Sequence, residues 1–311
     1  MKKILFLLQP YLRWMILGGT VFFLAKTLKD NWQQVIELRI TELGIIYLAI
    51  AFVVTIIAHV WSGVVWFWII KEFHQKVDLL WGIRVYLRTN VAKYLPGNIW
   101  HFYSRIAATK QVGVPVEIAI LSVLIEPLLM AAAALAVALV GSTQESWFLQ
   151  FLCFLAVISI VHPRILNPTI KYLVKIKLKV KKSDSEVANE LKLERYPIKP
   201  FCGEICFVLL RGSGFLLTIL AFNSIEFNQV LLIFSVFSLA WLLGLVVPGA
   251  PGGVGVFEAT ALALLEQKFS PGIVLSAVAF YRLISVLAET FAAGLALLEQ
   301  KSQKQEGRSE K

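Results

Sequence analysis

Long apolar runs alternate with short polar ones along almost the whole chain. Runs near 14–28, 43–70, 116–140, 147–161, 201–222, 229–247 and 272–298 carry few or no charges. About 20 apolar residues suffice to cross a hydrocarbon core roughly 30 Å thick. Short segments of alternating polarity, the signature of a membrane β-barrel, do not occur. The pattern predicts an all-α, polytopic helical membrane protein with about seven spans, one transmembrane domain over residues 1–300.

Two stretches interrupt this pattern. From 79 to 111 the chain is amphipathic and basic, and Tyr94–Arg105 reads Y-L-P-G-N-I-W-H-F-Y-S-R. Arg84, Arg88 and Lys93 can share one broad face of a helix lying on an anionic membrane surface. From 248 to 268 the sequence V-P-G-A-P-G-G-V-G-V-F-E-A-T, Val247–Thr260, gives a second break followed by a short helix. Broken backbone at membrane depth needs a covering of protein or a water-filled cavity, so both stretches read as re-entrant segments beside a cavity.

The breaks repeat in spacing. Pro96 precedes Pro115 by 19 residues (115 − 96), and Pro251 precedes Pro271 by 20 (271 − 251). Glu126 follows Pro115 by 11 residues, and Arg282 follows Pro271 by 11. This is the spacing expected of an internal repeat. Whether the two units are parallel or inverted depends on how many crossings separate them.

Charge sets the orientation. Lys2, Lys3 and Arg13 precede the first run, which places the N-terminus in the cytoplasm. No small-residue cleavage site follows that run, so a retained span is expected rather than a signal peptide. Residues 162–200 form a basic cytoplasmic loop, with ten basic and four acidic residues from Arg164 to Lys199. The loops Gly141–Ser146 and Asn223–Asn228 lack Lys and Arg and read as external. The polar tail, 301–311, is basic too, which seven full crossings from an inside start would leave outside.

Composition agrees with the pattern. The 311-residue chain is 58% hydrophobic, with mean hydropathy +0.73, against about 45–50% apolar in soluble domains. The net charge of +10 sits beside the spans rather than in a nucleic-acid module, so no nucleic acid is expected as a partner. Cys153, Cys202 and Cys206 lie in or beside apolar runs and read as structural thiols. No catalytic constellation, metal cluster or cofactor motif occurs. The glycine-rich second break lacks the Lys-Ser/Thr of a nucleotide loop. Its two remaining readings are tight helix packing and a half-helix start facing an anionic headgroup.

Charges inside spans are costly and usually face the bundle interior in pairs. Glu126, Arg211, Glu258 and Arg282 are of this kind, two acids and two bases that allow full pairing. Glu204 lies close enough to a span end to snorkel. Lys93 and Arg105 flank the first break and suit phosphate contact or a solvated face. His101, within the break, is the one histidine suited to proton chemistry, because His59 has no acidic residue nearby in sequence.

Three stretches carry a resemblance. K-Y-L-P-G-N-I-W-H-F at 93–102, P-G-G-V-G-V-F-E at 251–258 and Y-R-L-I-S at 281–285 resemble the transmembrane region of the lysylphosphatidylglycerol synthase family, the flippase-like membrane proteins. The likeness spans roughly residues 10–298 and implies lipid movement between leaflets of a bacterial plasma membrane. In fused members an aminoacyltransferase domain follows. With the sequence ending at Lys311, a stand-alone membrane unit without lipid aminoacylation is the expectation. Related stand-alone members often accompany polyprenyl-linked glycan or other lipid pathways, so the cargo stays open.

Residues and resemblance together point to a translocase of polar-headgroup lipids rather than an enzyme. The cavity candidates are Lys93, Pro96, Gly97, Asn98, His101, Arg105, Glu126, Arg211, Pro251, Gly252, Gly253, Glu258, Tyr281 and Arg282. Expected partners are anionic or zwitterionic membrane lipids and a lipid-synthesis enzyme. The alternatives are an intramembrane enzyme using Glu258 or His101 on a lipid-linked substrate, and a scaffold recruiting an enzyme through the basic loop.

Overall fold

A computed structural model describes residues 26–27, 29–94, 99–141, 144–165, 167–168, 193–247 and 253–309. The first expected span (14–28) lies almost wholly outside them. So do Pro96, Gly97, Asn98, Pro251, Gly252 and most of the basic loop. Among the described residues every regular element is a helix. In chain order these are α1 (Trp32–Glu37), α2 (Glu42–Lys71), α3 (Leu79–Asn90), a 3₁₀ turn (Val91–Tyr94), α4 (Trp100–Gln111), α5 (Val116–Val140), α6 (Gln144–Val161), α7 (Ile198–Leu220), α8 (Phe227–Val246), α9 (Val256–Leu265) and α10 (Pro271–Ser309).

Five helices are long and apolar enough to cross a membrane: α2, α5, α7, α8 and α10 as far as Glu299. The protein is an all-α polytopic membrane protein. The apolar part of α6 is shorter, Trp147–Val161. Helix α10 continues past its apolar part to Ser309, so most of the polar tail is helical. At 1.5 Å per residue, α3 and α4 are each about 18 Å long and α9 about 15 Å, roughly half a hydrocarbon core. The two broken stretches are therefore built from half-length helices.

Local chemistry sets the helix starts. Thr41 Oγ1 accepts from Gly44 N–H at 3.1 Å and opens α2. Asp78 accepts from Trp81 N–H at 3.0 Å and opens α3. Such caps satisfy N–H groups that the first helical turn leaves without partners. Pro115 and Pro271 stand at the starts of α5 and α10, where a missing N–H costs nothing.

Helix α7 runs antiparallel to α2. Gly203 faces Val65 and Trp68, while eleven residues on (214 − 203) Gly214 faces Thr55 and Ala51. A Cβ on Gly203 would lie 2.7 Å from Val65 Cγ2, so glycine there lets the first turns of α7 sit directly on α2. The Trp61 indole donates to the Gly203 carbonyl at 2.8 Å and fixes this contact. Helix α10 packs on α2, α3 and α7, and α5 packs on α7 and α8. Phe215, Phe237, Phe257 and Tyr281 meet where α7, α8, α9 and α10 converge. The Phe215–Tyr281 ring centroids are 5.4 Å apart and the Phe257–Tyr281 centroids 5.5 Å. This aromatic cluster ties short α9 to the long helices.

The first broken segment departs from the expected surface helix. Gly82, Val85, Tyr86, Leu87, Thr89 and Asn90 of α3 are buried, because α2 and α10 both pack on it. Arg84 reaches Glu299 of α10 at 3.6 Å. The amphipathic pattern of this stretch matches burial against neighbouring helices.

Candidate functional site

Three ionic centres lie inside or at the edge of the bundle, and each joins a broken segment to a long helix. In the first, Arg105 of α4 donates through Nη1 to Glu126 Oε2 of α5 at 2.5 Å. Both side chains are 2% exposed. Arg105 also donates to Thr89 Oγ1 and Asn90 Oδ1, both at 3.3 Å, at the end of α3. Its guanidinium lies 3.8 Å from the Tyr86 ring centroid and 5.8 Å from that of Trp66. A buried ion pair needs such extra hydrogen bonds and stacking to offset its lost hydration.

In the second centre, Lys93 Nζ of the 3₁₀ turn donates to Glu289 Oε1 of α10 at 2.6 Å. His59 Nε2 of α2 lies 3.1 Å from the same oxygen. Arg211 of α7 is close by. It donates through Nη2 to Ser285 Oγ at 3.0 Å and lies 4.9 Å from the Tyr281 ring centroid. Its Nη1 is buried and has no hydrogen-bond partner among the described residues. Tyr281, Ser285 and Glu289 are spaced by four and share one face of α10 (281, 285, 289).

In the third centre, Arg282 Nε of α10 donates to Glu258 Oε1 of α9 at 2.7 Å, and its Nη2 donates to the Gly253 carbonyl at 2.8 Å. Glu258 Oε2 accepts from Gly255 N–H at 2.5 Å, so the third helical residue reaches back to cap the start of α9. Gly253 and Gly255 have φ of 72° and 89°, a conformation that side-chain-bearing residues rarely adopt. The anion at this helix start is the chain's own carboxylate.

The first and third centres show the repeat in another form. Each joins a half-length helix after a Pro-Gly break to the long helix that follows. In the first unit the half-helix supplies arginine and the long helix glutamate. In the second the half-helix supplies glutamate and the long helix arginine.

Of the four costly residues, only Glu258 and Arg282 pair with each other. Glu126 takes Arg105, and Arg211 takes a serine. Lys93 and Arg105 both bind carboxylates rather than standing free at the break. His101 is buried in α4, which is not one of the five long apolar helices. Burial, then the charges of Arg105 and Lys93, lowers its pKa from 6.5 to about 3, so it is a neutral imidazole at physiological pH.

Sequence reasoning missed two acids. Glu289 follows an ordinary apolar run and has no local signature, since its partners lie 196 and 230 residues away (289 − 93, 289 − 59). Glu204 does not snorkel. It is 0% exposed, because the packing at Gly203 seats this turn of α7 against α2. Among the described residues no three His, Cys, Asp or Glu side chains gather to hold a metal ion. No family model and no curated protein matches the chain.

Proposed function

We propose that the protein moves polar-headgroup lipids between membrane leaflets, along the polar seam between α2, α7 and α10. In this reading it belongs to the lysylphosphatidylglycerol synthase transmembrane family and is located in a bacterial plasma membrane. The observation that carries the reading is Arg211. A guanidinium cannot shed its charge, and a buried one calls for an anion. Ser285 meets Nη2 of Arg211, while Nη1 has no hydrogen-bond partner among the described residues. A lipid phosphate or carboxylate supplies the acceptor that Nη1 lacks.

The three ionic centres act as latches in this scheme. Each holds part of a broken segment against a long helix, and a passing headgroup competes for the same cations. Lys93, Arg211 and Arg282 then contact the headgroup in turn while its tails remain in lipid.

The test is headgroup accessibility in reconstituted vesicles containing anionic and zwitterionic lipids. Wild type is expected to equilibrate at least one headgroup class. Arg211→Gln and Arg282→Ala, still folded, are expected to slow this more than tenfold. A folded wild-type protein that equilibrates no lipid refutes the reading. A covalent change in the lipids would point to the intramembrane enzyme instead.

A further inference from the structure

Helices α2, α3 and α10 meet around a groove of about 130 Å³, and no member of the three ionic centres lines it. Its floor is apolar: Val60 of α2, Leu87 of α3, and Ala292 and Ala296 of α10. The two alanines are spaced by four and share one face of α10 (292, 296). Their short side chains leave the space that a larger residue would fill. Leu80 and Leu295, 55% and 51% exposed, stand at the rim, so the groove opens toward the lipid around the bundle.

One end of the groove is charged. Arg84 and Glu299 both line it, and Arg84 Nη2 lies 3.6 Å from Glu299 Oε1. A charge-assisted hydrogen bond measures about 2.7–2.9 Å, so the two ions face each other without closing one. Depth follows from the helix directions. Gly82 faces Phe67 and Gly63 faces Tyr86, so α3 runs antiparallel to α2. Leu87 packs with Ala292 and Ala296 while Arg84 reaches Glu299, so α3 also runs antiparallel to α10. The apolar part of α10 ends at Glu299, the level at which lipid headgroups begin. From there to Ala292 the groove descends seven residues (299 − 292), about 10 Å at 1.5 Å per residue, into the hydrocarbon.

We propose that this groove binds a zwitterionic phospholipid: one acyl chain lies over Ala292 and Ala296, the phosphate meets Arg84 and the ammonium meets Glu299. An apolar slot that ends in charges at headgroup level matches a lipid rather than a water-soluble ligand. The charge count selects the headgroup. Arg84 and Glu299 sum to zero, which a zwitterion complements, whereas an anionic headgroup meets Glu299 as a like charge. The guanidinium suits phosphate because its planar N–H donors match the oxyanion. A lipid seated there bridges half-length α3 and the end of long α10, and holds the first broken segment from the lipid side. The groove is separate from the seam proposed for headgroup movement, and binding there does not depend on that movement.

The test is photocrosslinking of the full-length protein in nanodiscs. The probes are phosphatidylethanolamine and phosphatidylglycerol, each with a diazirine in one acyl chain, and the labelled peptides are mapped by mass spectrometry. In wild type the ethanolamine probe is expected to label residues 80–87 and 292–299 about fivefold more than the glycerol probe. Glu299→Gln leaves the site with the charge of Arg84 alone and is expected to reverse that preference. Ala296→Trp fills the groove and is expected to abolish labelling of these peptides. Leu80→Trp narrows the groove from an exposed position and serves where Ala296→Trp does not fold. Labelling that survives in a folded groove-filling variant overturns the groove as the seat of the chain. Equal labelling by the two probes in wild type, or a preference for the glycerol probe, overturns the headgroup assignment, and so does a preference unchanged in Glu299→Gln. Labelling is read whether or not any lipid crosses the bilayer, so failure of the translocase reading is a separate result.

Discussion

Arg105→Met tests how the interior is held together. Both members of the Arg105–Glu126 pair are 2% exposed, so the substitution strands a carboxylate inside the bundle. Breaking a buried pair by removing one partner costs about 3–5 kcal/mol. Two opposing effects place this case in that range. Thr89 and Asn90 lose their hydrogen bonds to the guanidinium, and Tyr86 loses a cation held 3.8 Å from its ring, which raises the cost. Glu126 can take up a proton, which caps it. The expected loss is about 3 kcal/mol near neutral pH and less in acid, where that proton is easier to acquire.

The double variant Arg105→Met/Glu126→Met removes both charges and keeps most of the volume. Replacing a buried pair by apolar side chains is often neutral, so its expected cost is below about 1 kcal/mol. Equilibrium unfolding in mixed micelles measures both variants. Trp66 reports on the site directly, its ring centroid lying 5.8 Å from the guanidinium. A double variant as unstable as Arg105→Met refutes the reasoning, because the penalty would then not come from the stranded carboxylate.

Other predictions concern the second break and His101. Glu258→Gln keeps its shape but weakens the cap on Gly255 N–H and the bond to Arg282; a loss of about 1 kcal/mol is expected, with faster amide exchange confined to the start of α9. Gly255→Ala forces a Cβ onto a residue at φ 89° and is expected to cost about 1–3 kcal/mol in the same unfolding assay; an unchanged midpoint would contradict the assigned backbone. His101 gives a pH signature. Its folded pKa, about 3, lies below the ordinary 6.5. Below pH 6.5 the unfolded chain therefore binds the proton that the folded one refuses, and stability falls as pH drops toward 3. The slope is at most about 1.4 kcal/mol per pH unit. His101→Gln is expected to flatten it, so equal acid sensitivity in both proteins would assign the slope elsewhere.

Much of the scaffold can be read from local pattern. The run 116–140 coincides with α5, and 43–70 lies within one residue of α2 at each end, because a membrane helix needs a long apolar stretch and its polar flanks end it. Glu126, Glu258 and Arg282 stand out by cost alone, since a charge inside such a run needs a reason. The short second helix was legible from the glycine-rich break that precedes it.

Pairing was not legible in the same way. The amphipathic pattern of 79–90 fits a membrane surface and a bundle interior equally well, and only the packing of α2 and α10 on α3 selects the interior. His59 lacks an acid nearby in sequence and finds Glu289 from the far end of the chain. Glu204 sits near a helix start, where a lone helix would let it reach the interface. The close approach at Gly203 buries it instead.

By itself the sequence determined an all-helical membrane protein with two broken segments and a set of costly interior charges, because hydropathy and helix-breaking residues act locally. Only the tertiary structure decided which charge meets which: Arg105 with Glu126, Lys93 with Glu289 and Glu258 with Arg282, while Glu204 has no hydrogen-bond partner among the described residues. A charge in the interior is stabilised by whatever lies within a few ångströms, and helix packing brings those neighbours from anywhere in the chain.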